Sequence, residues 1–512
     1  MQRKLAIWST ETPERQFTRL LRLMAQREWL RAAAEKVLSS PGAKTPGVDG
    51  VTREHLSGHL EVFLVELREA LLSGRYEPQP VRRIYIPKAN GKQRPLGIPC
   101  LRDRIVQRAM VMAMEPIWES DFHRCSYGFR PGRSVHQAIQ AVTINLTDTN
   151  GPGLRTKGRW VIEGDLSSYF DTVHHKRLVR CVKRRVRDKR FIDLLWRLLK
   201  AGHVDKGVFQ TSTEGVPQGG VISPLLSNIM LHEFDRFIEA QYTGAKARNH
   251  RRGWNVSVRQ GTPIARREQR QLLPAVTYVR YADDFVLIVK GTRVDAQAIK
   301  DLCRRFLDEE LKLTLNVEKT RITHVNDGFV FLGHRLVRKR SSRGHMRPVT
   351  GIPRESVNRV TFKLTQLLSG NYDMDSHTMI MKINRLTRGW TAFYAHTMYS
   401  SRIYGKLDTV VFWKLGHWLA RKYRTRVNKL MRKWFRYSHV HRRRTWMLNK
   451  TVDGQRFTTT LVKFARATKY RFVPPRPRVN PYLGLAPSAG GGHYSYSHIA
   501  FLTETEMESR MR

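Results

Sequence analysis

The chain has 512 residues, and its 92 Lys plus Arg against 43 Asp plus Glu give a net charge of +49. Such a surplus attracts polyanions, nucleic acid first and an anionic membrane surface second. With 41% hydrophobic residues and 11 Trp, the chain is not a wholly disordered basic tail, and at roughly 150 residues per domain it predicts about three domains.

No run approaches the ~18 apolar residues of a membrane span. The N-terminus, MQRKLAIWSTETPERQF, lacks the apolar stretch of a secretory signal. Cys100, Cys125, Cys181 and Cys303 form no CxxC pair, which argues against a zinc ribbon or disulfide scaffold and suits a reducing cytosol. They read as buried small hydrophobes.

In chain order, a helix is predicted over residues 12–38. Thr12 suits the N-cap and Pro13 the first helical position, and Phe17, Leu20, Leu21, Met24, Trp29 and Leu30 follow one face. Residues 40–52 are dense in Gly and Pro and read as loop. A second amphipathic helix covers about 53–73. Residues 81–100 predict a hairpin turning at Asn90-Gly91, and helix resumes at about 102–118. WVIEGDL (160–166) reads as a strand, with a helix from about 174. The glycine-rich loop 215–220 precedes an apolar helix beginning at Val221. Residues 243–271, Arg-rich and poor in apolar groups, read as an exposed insertion. Two β segments over 275–291 meet at an acidic turn. A helix at about 293–311 and a strand pair near 321–338 follow. Residues 354–435 read as mostly helical and basic, and from 401 to 480 there are 22 Lys plus Arg against 2 Asp. Most of the thirteen aromatics between Trp390 and Trp446 are expected to be helix core. From about 474 the Pro, Gly and Ser content predicts a loosely ordered tail.

Two acidic positions stand out against the positive charge. Asp165 ends a strand, with Asp171 six residues on, and Asp283-Asp284 follows Tyr281-Ala282. Turn chemistry is the plain explanation for each taken singly. The sharper one is a hard-cation site, because adjacent carboxylates repel and a divalent ion between them and Asp165 removes the conflict.

RYADDFVL, with the preceding strand Asp and a PQG loop between, resembles the reverse transcriptase palm. RRIYIPKANGKQRPLGIP, SYGFRPGRSVHQAI, GDLSSYFDTVHHKRL, EGVPQGGVISPLLSNIMLHEFDR, LNVEKTR and FLGHRL follow in that family's order. TPGVDGVT and RLTRGWTAFYAH more particularly resemble the N-terminal extension and the thumb, or maturase domain, of group II intron-encoded proteins. The resemblance covers about residues 40–485.

It implies an α+β fold: right-hand fingers and palm with an antiparallel palm sheet over 1–345, including an N-terminal extension at 1–80. A helical thumb or maturase domain would occupy 346–450. A basic C-terminal extension, a candidate DNA-binding region with a partly disordered tail, would fill 451–512. It implies two Mg²⁺ ions held by Asp165, Asp283 and Asp284, with the Leu166 backbone carbonyl completing a shell. Lys88 and Arg94 would grip the dNTP triphosphate, Phe170 would act as steric gate against ribonucleotides, and Gln218 and Gly219 would abut the incoming nucleotide. Read alone, these are a solvated hairpin face, a core ring and a helix-entry loop. Arg442, Arg443 and Arg444 are the surface candidate for RNA, or else a solubilising cluster.

The implied function is RNA-directed DNA polymerisation joined to splicing and retrohoming of a parent group II intron RNA. Its partners would be that RNA, an RNA template with DNA primer, target DNA and dNTPs, with no membrane partner. The expected location is a bacterial-type cytoplasm, with the nucleoid or a ribonucleoprotein. No cysteine follows Cys303, so the zinc-bound HNH endonuclease of some relatives is not expected, and the primer would come from elsewhere. The rival readings are a domesticated or defence-associated reverse transcriptase without an intron partner and a non-catalytic splicing factor.

Overall fold

A computed structural model describes residues 1–87, 91, 93–146, 159–261, 272–316, 318–342, 344–439, 443–452, 455–466 and 480–483. The described residues divide into two compact units. One comprises 1–138, 159–324 and 480–483; the other comprises 139–146 and 325–466.

The first unit opens with α1 (Gln2–Glu11), α2 (Leu20–Met24), α3 (Arg27–Leu38) and α4 (Leu60–Ser73). The predicted helix over 12–38 is thus broken. Thr12 ends α1 rather than starting a helix, because the residue before a proline is pushed out of the helical region. Arg19, at φ +57°, interrupts the chain again. The hairpin β1 (Val81–Pro87) and β2 (Gln93–Ile98) forms as expected, although its tip at 88–90 and 92 lies outside the described residues.

Helix α5 (Leu101–Asp121) is buried on nearly all sides and carries Pro116 inside it. A proline has no N–H for the carbonyl four residues back. That carbonyl, on Met112, instead accepts from Gln2 Nε2 at 2.9 Å. Ser9 Oγ donates to Ile117 O at 2.9 Å, and Asn480 Nδ2 to Pro116 O at 2.8 Å. Residues 480–483 of the tail expected to be loose are therefore docked, and the rest of it lies outside the described residues.

After α6 (Val135–Leu146) come β3 (Arg159–Gly164), α7 (Tyr169–Thr172), α8 (His175–Lys183), α9 (Lys189–Lys200), β4 (His203–Asp205) and β5 (Val208–Gln210). Then follow α10 (Ser223–Ile238), α11 (Ala245–Gln260), β6 (Ala275–Tyr281), β7 (Asp284–Lys290), α12 (Arg293–Leu311) and β8 (Arg321–His324). Helix α12 matches its predicted span because Thr292 and Asp295 form a reciprocal capping box. The exposed insertion is helical over α11, yet none of its residues is buried. With few apolar residues among its many basic ones, its sequence offered no apolar stripe to mark a helix.

Strands β6, β7, β3 and β8 lie in that order in one antiparallel sheet. The inner strand β7 is buried along five consecutive residues, Phe285 to Val289, as expected for a strand covered on both faces. A second sheet has the order β2-β1-β4-β5.

The second unit holds the sheet of β9 (Phe329–Phe331), β10 (His334–Arg340) and β11 (Met346–Gly351). Helices α13 (Arg354–Leu367), α14 (Ser376–Phe393), α15 (Ser401–Lys422) and α16 (Val427–Trp434) follow. A fourth sheet, β12 (Phe435–Ser438), β13 (Arg443–Val452) and β14 (Gln455–Thr460), was not expected from the sequence. Its charged residues hid the alternation that sinks Trp446 and Leu448 into the core. Trp418, Tyr394 and Tyr404 are core as predicted, whereas Trp413, Tyr399 and Tyr437 are exposed.

Candidate active site

The β6–β7 connection is a two-residue turn, since Tyr281 pairs with Asp284. Its first residue, Ala282, takes φ +55°, the positive φ that hairpin turns matching strand twist require. The turn presents Asp283, and Asp284 starts β7. Gly164, the last residue of β3, pairs with Phe285 on β7. Continuing that register by one residue sets Asp165 against Asp284, and the two carboxylates lie within hydrogen-bonding reach.

The electrostatics follow from that closeness. Burial pushes the Asp284 carboxyl up to about 8, and the charges of Asp283 and Asp165 add to the effect. Burial likewise raises Asp283, with Asp165 adding to it and Arg94 and Lys319 opposing. Lys319 Nζ sits 2.7 Å from Asp165 Oδ2 while remaining mostly exposed itself. Among the described residues no three His, Cys, Asp or Glu side chains already close round a point as a metal cage. The donor set is all oxygen, and its three carboxylates repel one another. That fits Mg²⁺, which takes one or two carboxylates and fills its shell with water and substrate phosphates.

The other predicted residues fall as follows. Leu166 pairs with Leu315 in a bridge flanked by Asn316 N to Asp165 O at 2.8 Å and Ser167 N to Thr314 O at 2.9 Å. Its own carbonyl therefore points away from that partner. Phe170, in α7, is half-buried and meets Phe129 edge to face, with ring centroids 6.4 Å apart. The PQG loop is tied to β2, because Gly97 N donates to Gln218 O at 2.6 Å. Gly219 has φ +104°, and a Cβ there would lie 2.6 Å from Gly97 O, so only glycine fits. Arg94, on β2, acts on Asp283, which links the hairpin to the carboxylates. Lys88 and Arg442 lie outside the described residues. Arg443 and Arg444 are exposed on β13 in the second unit.

The sequence reading assigned no role to Lys319, inside LNVEKTR, or to Arg280, immediately before YADD. It also passed over Asp235 and Asn228, which stand seven residues apart on α10 and so share one helix face. A signal was available: charged residues inside otherwise apolar strand and helix patterns need buried partners.

Comparison with known proteins places the chain in a family. The reverse transcriptase (RNA-dependent DNA polymerase) family model matches residues 86–336, and the group II intron maturase-specific domain matches 357–451. Protein YkfC of Escherichia coli (strain K12) is 61% identical over 368 residues, covering 72% of this chain and 96% of that protein. The group II intron-encoded protein LtrA of Lactococcus lactis subsp. cremoris is 34% identical over 364 residues, 65% of this chain and 59% of LtrA. Nuclear intron maturase 2, mitochondrial, of Arabidopsis thaliana is 28% identical over 289 residues, 46% of this chain and 38% of that protein.

The first match makes this an RNA-directed DNA polymerase, a class that works with divalent metal and an RNA template. The chain belongs to the group II intron reverse transcriptases that carry a maturase domain. The mixed α+β polymerase region is followed by a mostly helical maturase region. No helix among the described residues is long and apolar enough to cross a membrane.

Proposed function

We propose that Asp165, Asp283 and Asp284 hold two Mg²⁺ ions for nucleotidyl transfer to a DNA primer on an RNA template, the Leu166 carbonyl completing one shell. The observation that carries this reading is the closeness of three mutually repelling carboxylates, against which Lys319 and Arg94 set positive charge. Bound there, the metal supplies a lowered pKa at the primer 3′-hydroxyl and neutralises the triphosphate and leaving pyrophosphate. The chain's own residues do the positioning. Arg94 and Lys88 grip the triphosphate from the hairpin, which Arg suits through its bidentate fork. Gln218 and Gly219 form the floor against which the nucleotide lies, and Phe170 fills the space a ribose 2′-hydroxyl needs.

In this reading the hairpin and PQG loop are fingers, the β6-β7-β3-β8 sheet is the palm, and the helices after 354 are the thumb or maturase domain. The basic second unit, with Arg443 and Arg444 on its surface, binds a group II intron RNA to assist splicing and retrohoming. Target DNA and dNTPs are the further partners, in a bacterial-type cytoplasm.

Asp283→Asn tests the site. It should abolish cDNA synthesis on poly(rA)/oligo(dT) while RNA binding, and splicing assistance at low Mg²⁺, survive. Near-wild-type synthesis by this variant overturns the assignment.

A further inference from the structure

Arg280 is wholly buried on β6, two residues before the turn that carries the carboxylates. Its Nε and Nη2 donate to Asp235 Oδ1 and Oδ2 at 2.8 and 2.6 Å. Its Nη1 donates to Asn228 Oδ1 at 3.0 Å and to the carbonyl of Ala282, inside the turn, at 2.9 Å. Asn228 passes the link on, since its Nδ2 donates to Gly128 O at 2.8 Å. Gly128 then lies directly on the turn, where a Cβ would come within 2.4 Å of Ala282 N. The same segment grips the edge of β6, with Tyr127 N to Arg280 O and Arg280 N to Cys125 O both at 2.9 Å. One guanidinium thus ties helix α10 and the 125–128 segment to a left-handed alanine whose conformation is costly for an L-residue.

We propose that Arg280 is a positioning residue for polymerisation: with Asn228 and Gly128 it clamps the Ala282 turn so that Asp283 and Asp284 hold the geometry their cation needs. This rests on the reading of Asp165, Asp283 and Asp284 as the metal carboxylates. An ion pair alone does not explain the arrangement. Asp235 accepts from Nε and Nη2, and Nη1 donates to Asn228 and the turn carbonyl. A lysine could pair with Asp235 but, as a point charge on a single nitrogen, could not span all three acceptors.

The test uses the full chain with Arg280→Lys and, as a milder change that leaves the Arg280–Asp235 pair in place, Asn228→Ala. Folding is followed by thermal melting, which should fall by some degrees because buried polar atoms lose partners while both variants remain folded at the assay temperature, and by affinity for an RNA template–DNA primer, which should stay near wild type. Arg280→Lys should lower kcat by about 100-fold, the size of effect that small misplacement of reacting groups produces. Mn²⁺ binding, read by electron paramagnetic resonance without nucleotide, should weaken by about tenfold or more, as when a partner that orients metal ligands is removed. Asn228→Ala should show a smaller loss of the same kind. Wild-type kcat and Mn²⁺ affinity in either folded variant overturn the clamp. So does a loss of primer–template affinity in step with the loss of Mn²⁺ affinity, which marks general structural damage. Asp283→Asn run in parallel separates the two claims: if it still polymerises, the metal-site reading itself has failed, whatever Arg280 does.

Discussion

Acids near one β-hairpin turn are treated in opposite ways. Asp235 is fully enclosed, bidentate to Arg280 and bonded by Tyr278 Oη at 2.8 Å, so its carboxyl is held below the usual range despite burial. On the turn itself, Asp283 and Asp284 face Asp165, and burial with mutual repulsion drives their carboxyls upward. The protein neutralises the first charge with its own guanidinium and leaves the second group in deficit of positive charge. On the function proposed above, that contrast separates a structural carboxylate from one that would take a cation, and acid content alone does not reveal it.

The largest effect should come from breaking the enclosed pair. Asp235→Ala leaves Arg280 buried without a counter-charge and should cost about 3–5 kcal/mol, read by denaturant unfolding. Replacing both, with Arg280→Met and Asp235→Leu, should cost much less stability. Equal losses for the single and double variants would remove the contrast.

Next comes a pH effect at His232, beside the enclosed pair. Burial holds its ring near 4, well below the ordinary 6.5. The unfolded chain therefore takes up the proton first as pH falls. The stability from the neutral ring is complete above pH 6.5 and drains away toward pH 4, by up to about 3 kcal/mol. His232→Phe should flatten that slope, and an unchanged slope would place the acid sensitivity elsewhere.

Asp284→Asn should also stabilise the metal-free protein at neutral pH, because it relieves repulsion and desolvation of a carboxylate rather than breaking a pair. Added Mg²⁺ should then raise the melting temperature less than it does in wild type. Destabilisation by Asn would contradict the deficit. Smallest is Lys319→Ala. An exposed pair is worth under about 1 kcal/mol, so stability should barely move, while Mn²⁺ affinity rises about twofold to fivefold as a competing cation is lost. Weaker Mn²⁺ binding would show that Lys319 supports the site rather than competing for it.

Much of this protein was legible in one dimension. The capped helix 293–311, the alternating strands of the first hairpin and the apolar runs of β3 and β7 announce themselves because local periodicity and burial coincide. The ordered blocks from the hairpin to FLGHRL pointed to the family, and Asp165, Asp283 and Asp284 stood out because acids at strand ends are unusual in so basic a chain. The 435–460 sheet and the helix at 245–260 were not legible: the first hides its alternation under charge, and the second buries no residue that could set a period.

The sequence by itself determined which carboxylates are candidates, through residue type and neighbourhood. Only the tertiary structure decided which acids are left short of positive charge. Asp235 and Arg280 are 45 positions apart, and so far apart in the chain nothing local marks them as partners. Lys319 reaches Asp165 across 154 positions. Whether a buried charge is matched or waiting depends on what the fold brings within a few ångströms, because charge interaction in a low-dielectric interior falls with distance in space and not with distance along the chain.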